Sequence, residues 1–302
     1  MNSFTELNAQ KFITRWLDGI EVELNFWNKW AAEDGGIYNK DFLRRIADAP
    51  EIEDERFITF SNNPFRVLDA GAGPISSFGI MSSLGKIELT ACDPLADAYA
   101  QVLEANKIVP YVKTEFAYFE RLTDKYEKNY FDHVHVRNAL DHAFDALTGI
   151  YELLHVLKVN GTLRLVHAEN EAEHEHYQGF HQWNFTEENG EFIIWNRDIN
   201  INISDALRNI ADVNVTTKTI EGGRRLIDVA INKKIAENIL YKRTVSQYFL
   251  DKALLNKLIN LILERNAQKN KSDKLKNIEY IIFPQNSLQR KIVRYIIKFF
   301  KK

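Results

Sequence analysis

Val67-Leu68-Asp69-Ala70-Gly71-Ala72-Gly73-Pro74 is the stretch that decides the fold, because it reads as a buried strand running into a glycine turn. About twenty residues later a second short strand ends in Asp93-Pro94. Glycines let a backbone come close to a ligand, and an acid after the next strand can hold the two hydroxyls of a ribose. Together these features predict a site for a ligand that contains a nucleoside.

The turn departs from the dinucleotide fingerprint Gly-x-Gly-x-x-Gly at two positions. Ser76 stands where the third glycine is expected, and Pro74 has no N–H with which to receive a pyrophosphate. Such a turn suits a nucleoside ligand that lacks a phosphate, and S-adenosylmethionine (SAM) is one. The sequence therefore favours SAM over NAD. The remaining alternative is a glycine turn that binds no ligand.

The chain has 302 residues, of which 45% are hydrophobic, enough for one large domain with an appendage. Its apolar runs are shorter than the roughly 20 residues that span a bilayer, and its first residues lack a signal-peptide pattern. The single cysteine, Cys92, excludes an internal disulfide and a multi-cysteine metal site. These properties predict a cytoplasmic enzyme. Nucleic acid is not expected as a partner, because the region before the tail is acidic.

Charge is distributed unevenly along the chain. Residues 241–302 hold 15 Lys and Arg against 4 Asp and Glu, although the whole chain has a net charge of −3. Residues 266–277 read as an exposed, flexible linker and residues 287–302 as a basic amphipathic helix. The tail is predicted to contact either the anionic inner face of a membrane or an acidic partner. Docking on the chain's own acidic body is the alternative.

Hydrophobic periodicity predicts an α/β fold in which strands and helices alternate. The predicted helices are 5–33, 41–47, 74–84 with Gly85 as its cap, 95–105 and 144–157. The predicted strands are 66–70, 86–92, 111–116, 131–137 and 162–167, followed by two antiparallel pairs, 192–195 with 199–203 and 213–220 with 225–231. We expect a doubly wound, Rossmann-like sheet of seven strands whose last strand is antiparallel. The predicted domains are an N-terminal helical cap (1–62), a cofactor-binding domain (63–235, with an insert at about 170–205) and a basic helical tail (236–302).

The order of these motifs over about 66–234 resembles the class I SAM-dependent methyltransferase superfamily. Asp69-x-Gly71-x-Gly73 is similar to its first motif, and Asp93 to the acid that binds the ribose. Residues 157–163 resemble the turn before strand five, although Val159 and Asn160 replace its proline and glycine. The resemblance implies SAM as cofactor and a methyltransferase activity. The cofactor-binding residues that it implies are Asp69, Gly71, Gly73, Asp93, Leu95, Phe119, Glu120 and Asn138.

All eight histidines fall between His133 and His181, in the segment where that superfamily builds its acceptor pocket. His142 follows strand four at the ligand end of the sheet, and His181 lies in the insert beside Trp183. Asp141 can orient either ring or position the acceptor. We therefore predict His142, His181 and Asp141 as catalytic residues. The other histidines of the strands and helices are expected to be structural, namely His133, His135, His155 and His167.

Glu171, Glu173, His174, His176 and His181 can also be read as metal ligands. Their spacing matches no fixed metal signature, so a solvated polar loop is the preferred interpretation and no metal site is assigned. All five tryptophans lie in the N-terminal helix or the insert. If those segments meet over the sheet, they can form an aromatic lid for a sugar or other ring, although ordinary packing explains the same residues equally well.

The segment 170–185 is similar to an insert of bacterial methyltransferases associated with polysaccharide or natural-product gene sets. The leading hypothesis is therefore methyl transfer to an oxygen of a small molecule or glycan precursor, in surface-polysaccharide biosynthesis. A phosphate-type or nitrogen acceptor, which needs no general base, is one alternative. The other is a non-catalytic scaffold subunit with the same fold.

Overall fold

The computed structural model describes residues 6–52, 64–83, 85–235 and 249–267. Its helices are α1 (Glu6–Ala32), α2 (Asn39–Arg45), α3 (Ala96–Ala105), α4 (Ala146–Val156), α5 (Glu171–His174), α6 (Ile203–Leu207) and α7 (Lys252–Ala267). Its strands are β1 (Phe65–Ala70), β2 (Ile87–Cys92), β3 (Thr114–Glu115), β4 (Phe131–Arg137), β5 (Leu157–Ala168), β6 (Asn184–Glu188), β7 (Glu191–Trp195), β8 (Asn200–Asn202), β9 (Ala211–Thr219) and β10 (Arg225–Lys233). The predicted amphipathic helix 287–302 and most of the predicted linker lie outside the described residues. Asn266 and Ala267 were predicted to begin that linker, which is wrong, because they belong to α7.

The described strands form a seven-stranded sheet in the order β3-β2-β1-β4-β5-β10-β9, and β6, β7 and β8 form a second, smaller sheet. The five strands from β3 to β5 pair in parallel. β10 is antiparallel to both β5 and β9. The predicted α/β fold with an antiparallel closing pair is thus confirmed. Because β1, β2 and β4 are parallel, the segments that follow them meet at one edge of the sheet.

The core lies where the central strands pack against α4 and the smaller sheet. Six of the seven residues of β4 are buried, as expected of a strand that helices cover on both faces. Asp145 caps α4, since its carboxylate accepts hydrogen bonds from the Thr148 backbone N–H and hydroxyl. β4 and α4 thereby fix the loop between them, residues 138–145, against the sheet edge.

The predicted helix 74–84 is wrong, because residues 71–83 form an irregular loop. The loop's polar groups find partners elsewhere in the fold and leave none for a helical ladder. Ile80 and Met81 donate their backbone N–H groups to Pro50 O (2.8 and 3.1 Å). Arg44 and Arg45 of α2 donate to Ser77 O and Ile75 O (2.7 and 2.9 Å). Leu84 lies outside the described residues.

Other boundaries shift by a few residues. The third strand is only Thr114–Glu115, because Tyr111 turns away and donates its hydroxyl to Ser76 O (2.7 Å). β5 begins five residues before its predicted start, directly after α4. The predicted hairpin of the insert is confirmed as β7 with β8. Strand β6, which pairs with β7 in the same small sheet, was not predicted from the sequence.

α1 and α7 pack together over the edge of the sheet at which the glycine turn lies. Trp16, Ile20 and Leu24 of α1 share one buried cluster with Leu255 and Ile259 of α7. Asp97 of α3 also holds α7, through Lys252 (2.8 Å) and Asn256 (2.5 Å). The described part of the tail therefore docks on the chain's own body. Among the helices that the structure describes, none is long and apolar enough to cross a bilayer.

Candidate active site

The glycine turn after β1 adopts a backbone that other residues would not tolerate. Gly71 and Gly73 have φ angles of 69° and 64°. A Cβ on Gly71 would lie 2.5 Å from the Ala139 Cβ and 2.6 Å from the Phe119 ring. A Cβ on Gly73 would lie 3.0 Å from the Trp27 indole. The turn is therefore a cradle whose shape depends on having no side chains.

The two acids beside the turn are engaged differently. Asp69 is buried and accepts from the Ser76 hydroxyl (2.5 Å) and the Ser77 N–H (3.3 Å), so it holds the loop after the turn. Asp93 accepts from the N–H groups of Gly73 (3.2 Å) and Leu95 (2.8 Å). A carboxylate has about four acceptor positions, so Asp93 keeps room for a ribose diol. Burial raises the pKa of Asp69 to about 6 and that of Asp93 to about 7.

The remaining predicted cofactor residues surround this turn. Leu95 is buried in the cluster with α1, and Phe119 packs against Gly71. Glu120 is buried and accepts from the Asp145 N–H (3.0 Å), and burial raises its pKa to about 8. Asn138 is exposed, with its side-chain oxygen accepting from the Ala168 N–H (3.0 Å). Glu120 thus connects its own segment to the start of α4, and Asn138 connects the loop after β4 to the end of β5.

α1 contributes a polar group beside Asp93 that was not predicted from the sequence. Glu23 accepts from the Trp27 indole N–H (2.7 Å) and from the Tyr99 hydroxyl (3.2 Å). Its charge also contributes to the raised pKa of Asp93. The four-residue spacing of Glu23 and Trp27 along α1 was the available signal.

The three predicted catalytic residues do come together. Asp141 Oδ2 lies 2.7 Å from His181 Nδ1 and 3.5 Å from His142 Nε2. The rings of His142 and His181 are 4.8 Å apart and nearly perpendicular. His167 of β5, which was predicted to be structural, approaches the same carboxylate, with its Nδ1 3.8 Å from Asp141 Oδ1. Asp141 and His167 are buried, whereas His142 and His181 are partly exposed.

Charge within this cluster is set by the Asp141 carboxylate. Burial works against its ionisation, but His142, His181 and His167 hold the pKa of Asp141 well below its usual range. Burial would lower the pKa of His181, but its hydrogen bond to Asp141 and the negative charges of Asp141, Glu171 and Glu23 raise it to about 9. Burial lowers the pKa of His167 to about 4. At neutral pH the cluster therefore pairs an imidazolium with a carboxylate, beside a neutral His167.

Asp141, His142 and His181 could also hold a cation. One ligand atom from each residue lies within 4.8 Å of the others, and this is the one such group among the described residues. The other group of possible metal ligands named from the sequence does not form one site. Glu173, His174 and His176 are exposed on the insert. His133 and His135, by contrast, are buried in β4 against Phe78. Burial lowers the pKa of both, so these two rings are neutral packing groups.

The N-terminal helix and the insert meet directly above this cluster. Trp16 of α1 stacks on Phe180 of the insert, with ring centroids 4.9 Å apart and planes 6° apart. Phe180 in turn lies 5.5 Å from the His142 ring. Gly19 permits the contact, because a Cβ there would come 2.5 Å from the Phe180 ring. Trp16 and Phe180 are both buried. The two rings therefore cover each other, and neither has a ring face open to a sugar.

Residues 68–165 match a family model described as a methyltransferase domain. The match begins in β1, includes the glycine turn and Asp93, and ends in β5. A sheet of this order, with such a turn and such an acid, defines a class I SAM-dependent methyltransferase domain. The chain contains this domain, so it is a SAM-dependent methyltransferase and its cofactor is SAM. The cradle and the spare acceptor positions of Asp93 fit that cofactor.

Solved structures are similar to this chain at low sequence identity, and curated proteins give no match. Phosphoethanolamine N-methyltransferase 2 of Haemonchus contortus is 14% identical, with 75% of this chain and 60% of that one covered and a TM-score of 0.45. The YcgJ protein of Bacillus subtilis is 15% identical, with coverage of 58% and 94% and a TM-score of 0.33. The 1,6-didemethyltoxoflavin-N1-methyltransferase of Burkholderia thailandensis is 14% identical, with coverage of 57% and 72% and a TM-score of 0.36.

Proposed function

We propose that the enzyme methylates a hydroxyl oxygen of a small molecule or glycan precursor. The observation that supports this most is the cluster of Asp141, His142 and His181 under the α1–insert contact. SAM supplies a methyl group bound to a positively charged sulfur. A hydroxyl group attacks poorly while it keeps its proton, and a positioned base is worth about 10²–10⁴-fold in rate.

The pair of Asp141 and His181 has the geometry of an oriented base. The carboxylate accepts the Nδ1–H of His181 at 2.7 Å, which leaves Nε2 as the ring atom that can take the acceptor's proton. With a pKa of about 9, only roughly 1% of the His181 rings are neutral at pH 7. The rate through this base should therefore rise with pH until about pH 9. His142 lies against the same carboxylate and positions the acceptor.

The glycan part of the proposal depends on the resemblance of segment 170–185 to inserts of polysaccharide-associated methyltransferases. It is supported by the position of that segment, which provides Phe180 and His181 beside the cluster. A role in surface-polysaccharide biosynthesis would place the enzyme in the cytoplasm, where such precursors are made. Peripheral contact with the membrane would then depend on residues beyond the described part of the tail.

A transfer assay tests the proposal directly. Radiolabelled methyl groups would be followed from SAM into a panel of nucleotide sugars and cell-envelope extracts, with wild type, H142Q, H181Q and the control H174Q. His174 is an exposed histidine of the insert, outside the cluster. We expect H181Q to lose at least 100-fold in rate and H174Q to keep the wild-type rate.

Other outcomes of the assay select the alternatives. Transfer that survives in H142Q and H181Q would indicate a phosphate-type or nitrogen acceptor that needs no base. Absence of both transfer and SAM binding would indicate a scaffold subunit. Loss of transfer in EDTA, restored by a divalent cation, would show that the cluster works as a metal site rather than as a base.

A further inference from the structure

Two arginines from distant parts of the chain converge on one tyrosine of the insert. The guanidinium carbon of Arg197, in the turn between β7 and β8, lies 4.2 Å from the centre of the Tyr177 ring. That of Arg15, on α1, lies 5.8 Å from the same centre. Neither arginine makes a hydrogen bond or an ion pair with any described residue. Arg197 is exposed and Arg15 partly exposed, so their N–H donors, which the face of a ring does not satisfy by hydrogen bonds, are accessible to a ligand.

The two positive charges disfavour each other. Burial lowers the pKa of Arg15, and the charge of Arg197 lowers it further. Asp198 and Tyr177 raise the pKa of Arg15. With two guanidinium groups near one carboxylate, the spot stays positive, although residues 1–240 as a whole are acidic. Two like charges from separate segments create a positive potential that favours the binding of an anion.

The backbone at Tyr177 is a second, independent sign of a ligand site. His176 and Tyr177 have φ angles of 53° and 58°, a left-handed conformation that costs a bulky residue about 1 kcal/mol or more. The Tyr177 hydroxyl, which accepts from the Asn184 side chain (2.9 Å), fixes the ring in this position. Asn184 is itself buried and accepts from the Glu173 N–H (2.8 Å). Such strain in a rigid support is typical of segments that present a side chain to a ligand.

The spot and the catalytic cluster share two segments of the chain. Tyr177 precedes Phe180 and His181 in one tight turn, in which the His181 N–H donates to Gln178 O (3.2 Å). Arg15 directly precedes Trp16, which stacks on Phe180. α1 and the insert thus contribute residues both to the spot and to the cover over the cluster, so a single acceptor molecule that reaches both is the simplest ligand.

We propose that Arg15 and Arg197 bind a phosphate group of the acceptor. This rests on the proposed function, which places the acceptor hydroxyl at the cluster. Guanidinium groups donate paired N–H bonds to phosphate oxygens, and two of them from separate elements fit the charge and oxygens of a phosphate monoester or a diphosphate better than the two oxygens of a carboxylate. The acceptor class is thus a phosphorylated small molecule, such as a sugar phosphate or a nucleotide sugar.

Calorimetric titration at low ionic strength tests the subsite without any methyl transfer. The probes are inorganic phosphate, inorganic pyrophosphate and acetate, applied to wild type, the double variant R15Q/R197Q and the control R208Q. Arg208 is an exposed arginine paired with Asp205, away from Tyr177. We expect wild type and R208Q to bind phosphate or pyrophosphate more tightly than acetate, and the double variant to lose at least tenfold. SAM binding and the melting temperature of the double variant check that it is folded.

A kinetic arm separates free phosphate from the phosphate of an acceptor. With a phosphorylated acceptor from the panel, the double variant should raise KM at least tenfold and keep kcat within about twofold. Equal phosphate binding by wild type and the double variant, or an unchanged KM, would overturn the proposal. So would equal affinity for acetate and phosphate. If methyl transfer to hydroxyl acceptors fails altogether, the titration still reports on the subsite alone.

Discussion

The glycine turn and the histidine cluster are held in place by different kinds of contact. Hydrogen bonds from backbone N–H groups hold the turn in place. Gly71 and Ala72 donate to Cys92 O (2.8 and 3.1 Å), and Gly73 donates to the Asp93 carboxylate. Side chains fix the cluster, where residues 141, 167 and 181 meet from the loop after β4, from β5 and from the insert. The turn should therefore respond to changes of shape, and the cluster to changes of charge and pH.

The largest effect should follow from removing the charge at the centre of the cluster. Asp141→Asn keeps the size of the side chain but removes the carboxylate that raises the pKa of His181. We expect a loss of about 10²–10⁴-fold in methyl transfer to a hydroxyl acceptor at pH 9, where about half of the wild-type His181 rings are neutral. Without the carboxylate, the His181 pKa should fall from about 9, because burial is then opposed only by the charges of Glu171 and Glu23.

Histidine NMR titration of wild type and D141N measures that pKa without an acceptor. The two proteins should also bind SAM equally, since Asp141 lies outside the cradle. An unchanged His181 titration in D141N would show that Asp141 does not control the ring.

A change of shape in the turn should have the next largest effect. Gly71→Ala places a Cβ 2.5 Å from the Ala139 Cβ and adds the cost of a left-handed φ. Overpacking costs about 1–3 kcal/mol and the φ strain about 1–2 kcal/mol. We expect the free energy of unfolding to fall by about 2–5 kcal/mol in denaturant melts, with loss of SAM binding.

Gly222→Ala is the matched control for this variant. Its φ is also positive, at 84°, but a Cβ there has nothing within 4 Å. It should lose only the strain of about 1–2 kcal/mol and bind SAM normally. Equal losses in both variants would mean that the close contacts at Gly71 do not matter.

The smallest effect concerns Glu120, which links the two halves of the site. Burial raises its pKa to about 8, so the folded state holds its proton more tightly than the unfolded state does. Its contribution to stability is complete below about pH 4.5 and is lost as pH rises to about 8. Glu120→Gln should flatten the fall of the melting temperature across this window while keeping the hydrogen bond from Asp145. A parallel fall in both proteins would assign the pH dependence to other groups.

The turn and the sheet around it could be predicted from sequence because their signals are local. The glycines follow β1 directly, Asp93 follows the next strand, β2, directly, and the alternation within each strand is visible over a few residues. The helix predicted over 74–84 failed for the opposite reason, since Arg44 and Arg45 donate hydrogen bonds to that loop from 33 and 30 residues away. The hydrophobic periodicity of a sequence does not reveal hydrogen bonds between distant segments.

The cluster was predicted only in part. His142 and His181 stood out because they follow β4 and lie in the insert, and the structure brings both to Asp141. His167 was assigned to packing, since a histidine at the end of a buried strand gives no local sign of a carboxylate on the neighbouring loop. Arg15 and Arg197 were missed entirely, because 182 positions separate them and they meet at Tyr177, which belongs to a third segment.

The division of the site into a donor half and an acceptor half can be tested by calorimetric titration of SAM into wild type, D93N and D141N. Asp93 is buried beside the glycine turn, and replacing a charged acceptor of a hydrogen bond costs about 1.5–3 kcal/mol, or roughly 10- to 150-fold in affinity. The predicted result is a loss of that size in D93N and wild-type affinity in D141N. Unchanged binding in D93N, or an equal loss in D141N, would contradict it.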